Sequence, residues 1–176
     1  PQMSASQLAA QMSRDVTLTA VDLTKMPALI KSLNDLTVAL QDIPQSKIAK
    51  ARTYAQSFTS VWGSNVPASY LDLGHLVYLI KKEAGSAAVT EAADNVLRSL
   101  MTLIVAEKHG QTRPGATGVS IYFPNSQLYQ SSVAGPQSYA VVANRFANAS
   151  LWDDYLKFHY TGSRFRAATI DITGAD

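Results

Sequence analysis

The stretch Val16-Thr-Leu-Thr-Ala-Val-Asp-Leu23 decides the fold class of this chain. β-branched and apolar residues dominate it and fall on both of its sides, which is typical of a strand in a sheet covered by helices on both faces. Val119-Ser-Ile-Tyr-Phe123 is a second run of this kind, and Pro124 stops it. Thr169-Ile-Asp-Ile172 resembles the start of a third strand. The sequence therefore predicts a sheet with few strands.

Helical periodicity occupies most of the chain between these runs. Apolar residues recur at steps of three and four from Met26 to Leu40, with Thr24 as the expected N-cap and Pro27 in the first turn. Similar patterns predict helices over residues 4–14, 24–40, 44–58, 72–84, 90–109, 139–149 and 151–160. Because long helical connections suit parallel crossovers, we expect an α/β fold. Its single sheet of parallel strands is expected to bury four side chains, those of Leu18, Val21, Ile121 and Phe123.

The composition limits the classes of function that these residues can have. The chain has 176 residues, enough for one domain, and a formal net charge of +2 with 16% charged residues, which gives no basic stripe for a nucleic-acid partner. It has no cysteine, so a thiol nucleophile or a thiolate metal site cannot come from these residues. No apolar run reaches the roughly 18 residues that span a bilayer. The start at Pro1 suggests a processed end or a trimmed chain.

The three histidines offer little catalytic chemistry. His109 closes a predicted helix, where a histidine interacts favourably with the helix dipole, so we interpret it as a capping residue. His159 lies among aromatic residues near the last helix end and is interpreted as a packed or surface histidine. Asp72 and His75 share one helix face, but a set of two residues defines no metal geometry. All three histidines are therefore expected to be structural.

Serine and aspartate motifs lead to the same expectation. Ser120 lies inside a predicted strand, with a bulky residue where a nucleophile elbow needs its second glycine. Asp153 and Asp154, with His159 nearby, suggest an oxygen-rich cation site, but adjacent helix residues point about 100° apart. We therefore predict no catalytic residue and no cofactor-binding residue in this chain, and the sequence identifies no metal ligand.

Three segments carry a resemblance to a known family. They are Thr17-Leu-Thr-Ala-Val-Asp-Leu-Thr-Lys-Met26, Tyr70-Leu-Asp-Leu-Gly-His-Leu76 and Thr117-Gly-Val-Ser-Ile-Tyr-Phe-Pro124. Taken in this order, they resemble segments of the clostripain-like cysteine peptidases. The stretch from Tyr139 to Tyr160, with Trp152 and Tyr155, is similar to the closing helix of that family. The resemblance spans about 140 residues.

The resemblance implies a caspase-like α/β/α sandwich and a hydrolase that cleaves protein or peptide substrates after Arg or Lys through a Cys–His dyad. The family's dyad precedes the segment where this chain begins, so none of its catalytic residues is carried over. His75 stands where the family usually has an acidic residue, which argues against a catalytic role. Calcium is a cofactor in clostripain itself, and the family is typically secreted or attached to the bacterial cell envelope.

These implications define the expected organisation. Residues 1–162 would form the C-terminal part of the peptidase domain, and residues 163–176 a tail or the start of a following strand. The expected partner is the Cys- and His-bearing remainder of the same peptidase, which would supply the missing strands. Two alternatives stay open: a non-catalytic caspase-like binding or structural domain, and an independent metal- or carbohydrate-binding α/β domain suggested by Asp153, Asp154 and nearby aromatic residues.

Overall fold

A computed structural model describes Ser4, Gln7 and residues 17–59 and 69–166. Their helices are α1 (Met26–Ala39), α2 (Gln45–Tyr54), α3 (Leu73–Ala84), α4 (Ala87–Leu103), α5 (Ser126–Tyr129), α6 (Pro136–Val142), α7 (Asn144–Ala149) and α8 (Trp152–Thr161). Their strands are β1 (Thr17–Val21), β2 (Ser57–Thr59), β3 (Tyr70–Asp72), β4 (Ile104–His109) and β5 (Ser120–Tyr122). The architecture is a mixture of helices and small sheets, which agrees with the general α/β prediction.

A layer of helices forms the core. The predicted stripe of α1 is buried at Leu29, Leu33 and Leu36, and this helix packs against α4. The helix α3 lies between α4 and α2 and buries its own apolar face in the same cluster. The 3.6-residue period therefore located the core helices correctly, because each stripe faces another helix.

Two helix starts show how local hydrogen bonds set the boundaries. Pro27 lies in the first turn of α1, as predicted. Thr24 is not the cap, however, because the carboxylate of Asp22 accepts the backbone N–H of Thr24 and begins a short 3₁₀ turn before Met26. Ser4 accepts the backbone N–H of Gln7 at 3.2 Å, the bond expected of an N-cap.

The sheets differ from the prediction of one parallel sheet, which is wrong. β1 pairs with β4 in a two-stranded antiparallel sheet, and β2, β3 and β5 form a separate antiparallel sheet in the order β2-β3-β5. Three of these strands were not predicted. β2 begins inside the helix predicted over residues 44–58, which ends at Tyr54, and β3 is only three residues long. β4 lies inside the helix predicted over residues 90–109, because its apolar residues continue the stripe of α4.

The burial prediction holds for β5 and the residue after it and is wrong for β1. Ile121 and Phe123 are 4% and 0% exposed. Leu18 and Val21 are 74% and 37% exposed, and among the described residues β1 pairs with β4 alone. The alternation of apolar residues thus predicted that residues 17–21 form a strand, but it did not predict whether other elements bury that strand.

Some predictions fall outside the described residues. These are most of the helix over residues 4–14, the loop over residues 62–67 and the strand at 169–172. Among the described helices, none combines the length and hydropathy that a bilayer crossing requires.

Phe123 provides a test of this core. Its ring is fully buried and meets Trp152, His159 and Tyr160 edge to face, with centroids 5.6, 5.0 and 6.4 Å away. We expect Phe123→Ala to lower the free energy of unfolding by about 3–5 kcal/mol, because it leaves a cavity among rigid rings. Leu18→Ala, the control on the exposed strand, is expected to change it by less than about 0.5 kcal/mol. Denaturant unfolding of both variants measures this, and equal losses would contradict the structure.

Candidate functional site

A buried carboxylate joins two of the family-like segments. The side chain of Asp72, which is 0% exposed, lies at the N-terminus of α3, where Oδ1 accepts the backbone N–H of His75 at 2.9 Å. Oδ2 accepts the backbone N–H groups of Thr117 at 2.6 Å and Gly118 at 2.9 Å. The Thr117 hydroxyl donates within 3.1 Å of the same carboxylate. Because a carboxylate is purely an acceptor, these donors satisfy it without a paired cation.

Glycines also allow the first family-like segment, which contains Thr19, to lie against the turn that Asp72 binds. Gly118 has φ +80°, and a Cβ atom there would lie 1.8 Å from Oγ1 of Thr19 in β1. That hydroxyl donates to the carbonyl of Thr117 at 2.8 Å. A Cβ at Gly74 would lie 2.4 Å from Cγ2 of Thr117. We call the cluster in which Asp72 bonds Thr117 and Gly118, while Gly74 and Thr19 lie against these two residues, the Asp72 junction. Positions 74 and 118 leave no room for a Cβ atom.

His75 does not form a dyad with Asp72. The carboxylate of Asp72 bonds the backbone N–H of His75, whereas the imidazole Nδ1 accepts the backbone N–H of Gln56 at 3.0 Å. The ring proton therefore lies on Nε2. The His75 ring also stacks on Tyr78, with centroids 6.5 Å apart. The side chain thus connects the start of α3 to the segment before β2.

His109 is not a helix cap, and this prediction was wrong. It is the last residue of β4, where Nδ1 lies 2.8 Å from Oε1 of Glu107. α4 ends at Leu103 instead, because the chain continues from Ile104 as the partner strand of β1.

His159 is packed, as predicted. Its Nδ1 lies 2.9 Å from Oε1 of Gln45, and its ring meets Phe123 and Tyr160 edge to face. Burial, with a smaller contribution from the positive charge of Arg52, lowers the pKa of His159 from 6.5 to about 4. The imidazole is therefore neutral at pH 7 and acts as a hydrogen-bonding member of the core.

The other predicted candidates do not assemble into a site. Ser120 is exposed in β5, and no hydrogen bond joins it to a histidine in the described part of the chain. Asp153 and Asp154 lie in the first turn of α8. Burial, with a smaller contribution from the negative charge of Asp154, raises the pKa of Asp153. Within residues 17–59 and 69–166 no three acidic, histidine or cysteine side chains form a group that could hold a metal ion.

Sequence reasoning missed Arg52. Its Nε donates to the carbonyls of Phe123 at 3.0 Å and Pro124 at 2.9 Å, and its guanidinium lies 5.9 Å from the Phe123 ring centroid. The hydroxyl of Tyr160 donates to the carbonyl of Pro124 as well. Burial lowers the pKa of Arg52. We call these bonds to the carbonyls of Phe123 and Pro124 the Arg52 clamp. The clamp holds the chain where β5 ends and fixes its direction beyond that strand. Nothing in the sequence around Arg52 predicts these bonds.

Sequence reasoning also missed an apolar cleft of about 260 Å³. We call it the β5-edge cleft. Residues of α1, β3, β5 and the α6–α7 region line it: Met26, Leu29, Ile30, Leu33, Tyr70, Leu73, Val119, Ser120, Ile121, Tyr122, Tyr139, Ala143 and Phe146. Three of the elements that form it are short or come late in the chain, so no local pattern indicates it.

No family model, no curated protein and no solved structure matches this chain. Its function must therefore be inferred from the residues that form the Asp72 junction and the β5-edge cleft.

The Asp72 junction gives the second prediction. Asp72→Asn replaces one acceptor oxygen with an NH₂ group that faces backbone donors, so we expect the free energy of unfolding to fall by about 2–4 kcal/mol. Asp35→Asn is the matched control, because Asp35 forms an exposed pair with Lys31 and its loss is worth less than about 1 kcal/mol. Denaturant unfolding measures both. Equal, small effects would show that the junction contributes little.

His159 gives a pH prediction. Because its folded pKa is depressed to about 4 from 6.5, the unfolded chain binds more protons between these values, and stability should rise with pH through this window. The fully developed contribution is at most about 3 kcal/mol above pH 6.5 and is lost as the pH falls toward 4. His159→Gln should flatten this part of the stability profile. An NMR titration of the imidazole with a midpoint near 6.5 would contradict the prediction.

Proposed function

We propose that this chain is the C-terminal part of the catalytic domain of a clostripain-like cysteine peptidase. In this proposal it holds the sheet and its covering helices, while the Cys–His dyad lies on residues outside it. The domain would have the caspase-like α/β/α sandwich and would cleave protein or peptide substrates after Arg or Lys, as the resemblance implies.

The convergence of the three family-like segments is the observation that carries this proposal. Thr19, Asp72 and Thr117 come from segments far apart in the chain, yet they meet at one junction. Two of the segments contribute a buried acid and two glycines that leave no room for a side chain, and the first segment contributes Thr19. This mutual dependence of the three segments supports the proposal that they form one unit, as the resemblance implies.

The described side chains suit a supporting role. β5 is held by Asp72 at its beginning, by Trp152 through a bond from Nε1 to the carbonyl of Tyr122, and by Arg52 at its end. A thiolate–imidazolium pair needs rigid elements to keep its geometry. A strand fixed at three points supplies such rigidity to its neighbours in a sheet.

Calcium remains part of the proposal only through the resemblance. Asp153 and Asp154 are adjacent in the first turn of α8, where their carboxylates suit the positive end of the helix dipole. A calcium ion takes six to eight oxygen ligands, so these two residues would need ligands from elsewhere.

A non-catalytic caspase-like binding domain is the second candidate. The β5-edge cleft favours it, because a solvent-accessible apolar cleft serves binding whether or not a dyad is present.

The two candidates differ in the chemistry of the full-length gene product. We expect it to hydrolyse Arg- and Lys-amide substrates, and a Lys-chloromethyl ketone to label one cysteine and abolish that activity. Residues 1–176 purified alone should be inactive. Asp72→Asn in the full-length protein should lower activity together with stability, whereas Asp35→Asn should change neither.

A folded full-length protein without thiol-dependent hydrolysis would reject the peptidase and leave the binding domain. Hydrolysis by residues 1–176 alone, abolished by changing Ser120 or His75, would reject both and identify an unexpected serine or histidine mechanism.

A further inference from the structure

The backbone of β5 has one edge turned away from β3. The N–H of Leu73 donates to the carbonyl of Val119 at 2.8 Å, and the N–H of Phe123 donates to the carbonyl of Ser69 at 2.7 Å. These bonds direct the odd-numbered residues of this strand toward β3, so the N–H and C=O groups of Ser120 and Tyr122 point the opposite way. β5 is the last strand in its sheet among the described residues.

The β5-edge cleft runs along this edge. Successive side chains of a strand point to opposite faces, yet four consecutive residues, 119–122, line the cleft. A cleft on one face of the sheet would contact only alternate residues. Leu29 and Leu33 of α1 and Tyr139 and Phe146 of the α6–α7 region line the same cleft beside this edge.

The lining selects an uncharged occupant. None of the residues that line this cleft is acidic or basic. A charged side chain placed there would lose its hydration without gaining a partner, so charge complementarity favours an apolar occupant. The volume of about 260 Å³ lies below the usual 300–1,000 Å³ of pockets for drug-sized ligands and suits a few side chains.

Backbone chemistry then favours a polypeptide over a lipid or another apolar molecule. The Ser120 N–H, the Ser120 C=O and the Tyr122 N–H face the cleft, and an extended chain satisfies such groups by adding a strand. Trp152 already donates to the Tyr122 C=O at 2.7 Å and so closes one end of the edge. The pairing is therefore short, extending from Ser120 to the Tyr122 N–H.

We propose that the β5-edge cleft binds an extended, uncharged segment of the remainder of the same precursor, which pairs with the backbone of Ser120 and Tyr122. Its alternate side chains pack on α1 and on the α6–α7 region. This inference rests on the proposed function, because it assigns to that function the position at which the dyad-bearing remainder joins this chain.

Amide hydrogen exchange in the full-length protein tests the pairing. We expect the amides of Ser120 and Tyr122 to exchange roughly 100-fold more slowly than in an unstructured peptide, as paired strand amides do. The amides of Ile121 and Phe123, which face β3, should be slow as well and report that β5 is intact. Fast exchange at Ser120 and Tyr122 with slow exchange at Ile121 and Phe123 would overturn the proposal.

Two neighbouring substitutions test the cleft itself. Ala143→Glu places a charge in the lining, whereas Val142→Glu places one on a side chain that is 80% exposed and outside the lining. We expect Ala143→Glu to speed the exchange of the Ser120 and Tyr122 amides by roughly 100-fold without affecting Ile121 and Phe123. Val142→Glu should behave as the wild type. Equal behaviour of the two variants would overturn the proposal.

Other occupants give different results. Protection that increases with protein concentration would identify a second copy of the chain, and protection lost after treatment with a hydrophobic resin would identify an apolar small molecule; either overturns the proposal. Protected edge amides in a full-length protein without thiol-dependent hydrolysis would reject the peptidase but keep this pairing. Thiol-dependent hydrolysis with unprotected edge amides would do the reverse.

Discussion

The described structure depends on the burial of the Asp72 carboxylate. A carboxylate in an apolar interior is costly unless donors replace the lost water, and here backbone N–H groups from two parts of the chain and one hydroxyl do so. One bond begins α3, and the others hold the turn that leads into β5. A helix start and a strand start are thereby fixed relative to each other by a single side chain.

β5 transmits this constraint to the rest of the molecule. Beyond its three residues, Phe123 inserts into the aromatic cluster around Trp152 and His159, and Arg52 holds the carbonyls that follow. Rings packed edge to face and a half-buried guanidinium leave the strand little freedom. The same strand keeps one backbone edge turned toward an apolar cleft. Rigidity on one side and, among the described residues, an edge without a neighbouring strand on the other are what a sheet needs where another segment joins it.

Both proposals follow from this combination, and they depend on different observations. The peptidase proposal rests on the convergence of Thr19, Asp72 and Thr117 at a junction without space for additional atoms. The strand-pairing proposal rests on backbone direction and on the lining of the β5-edge cleft. The resemblance to the clostripain-like family supplies the chemistry for the first, whereas the second takes its partner from the first proposal and its position from the geometry of β5.

The sequence by itself determined the core helices α1 to α4 and α8 and the strand character of β1 and β5, because periodicity and β-branching act locally. It also identified Asp72, Thr117 and Gly118 as members of distinctive segments, although not as partners. Only the tertiary structure decided the pairing of strands and the exposure of Leu18. It also decided the path of the chain at Ile104, where the apolar pattern of α4 continues but the residues pair with β1 as a strand. The sequence likewise could not predict the bonds made by Arg52 or the β5-edge cleft, since both arise from residues far apart in the chain. Local sequence patterns specify helix or strand conformation. Which side of an element is buried, and which strands pair, depends on the residues that the folded chain brings into contact with it.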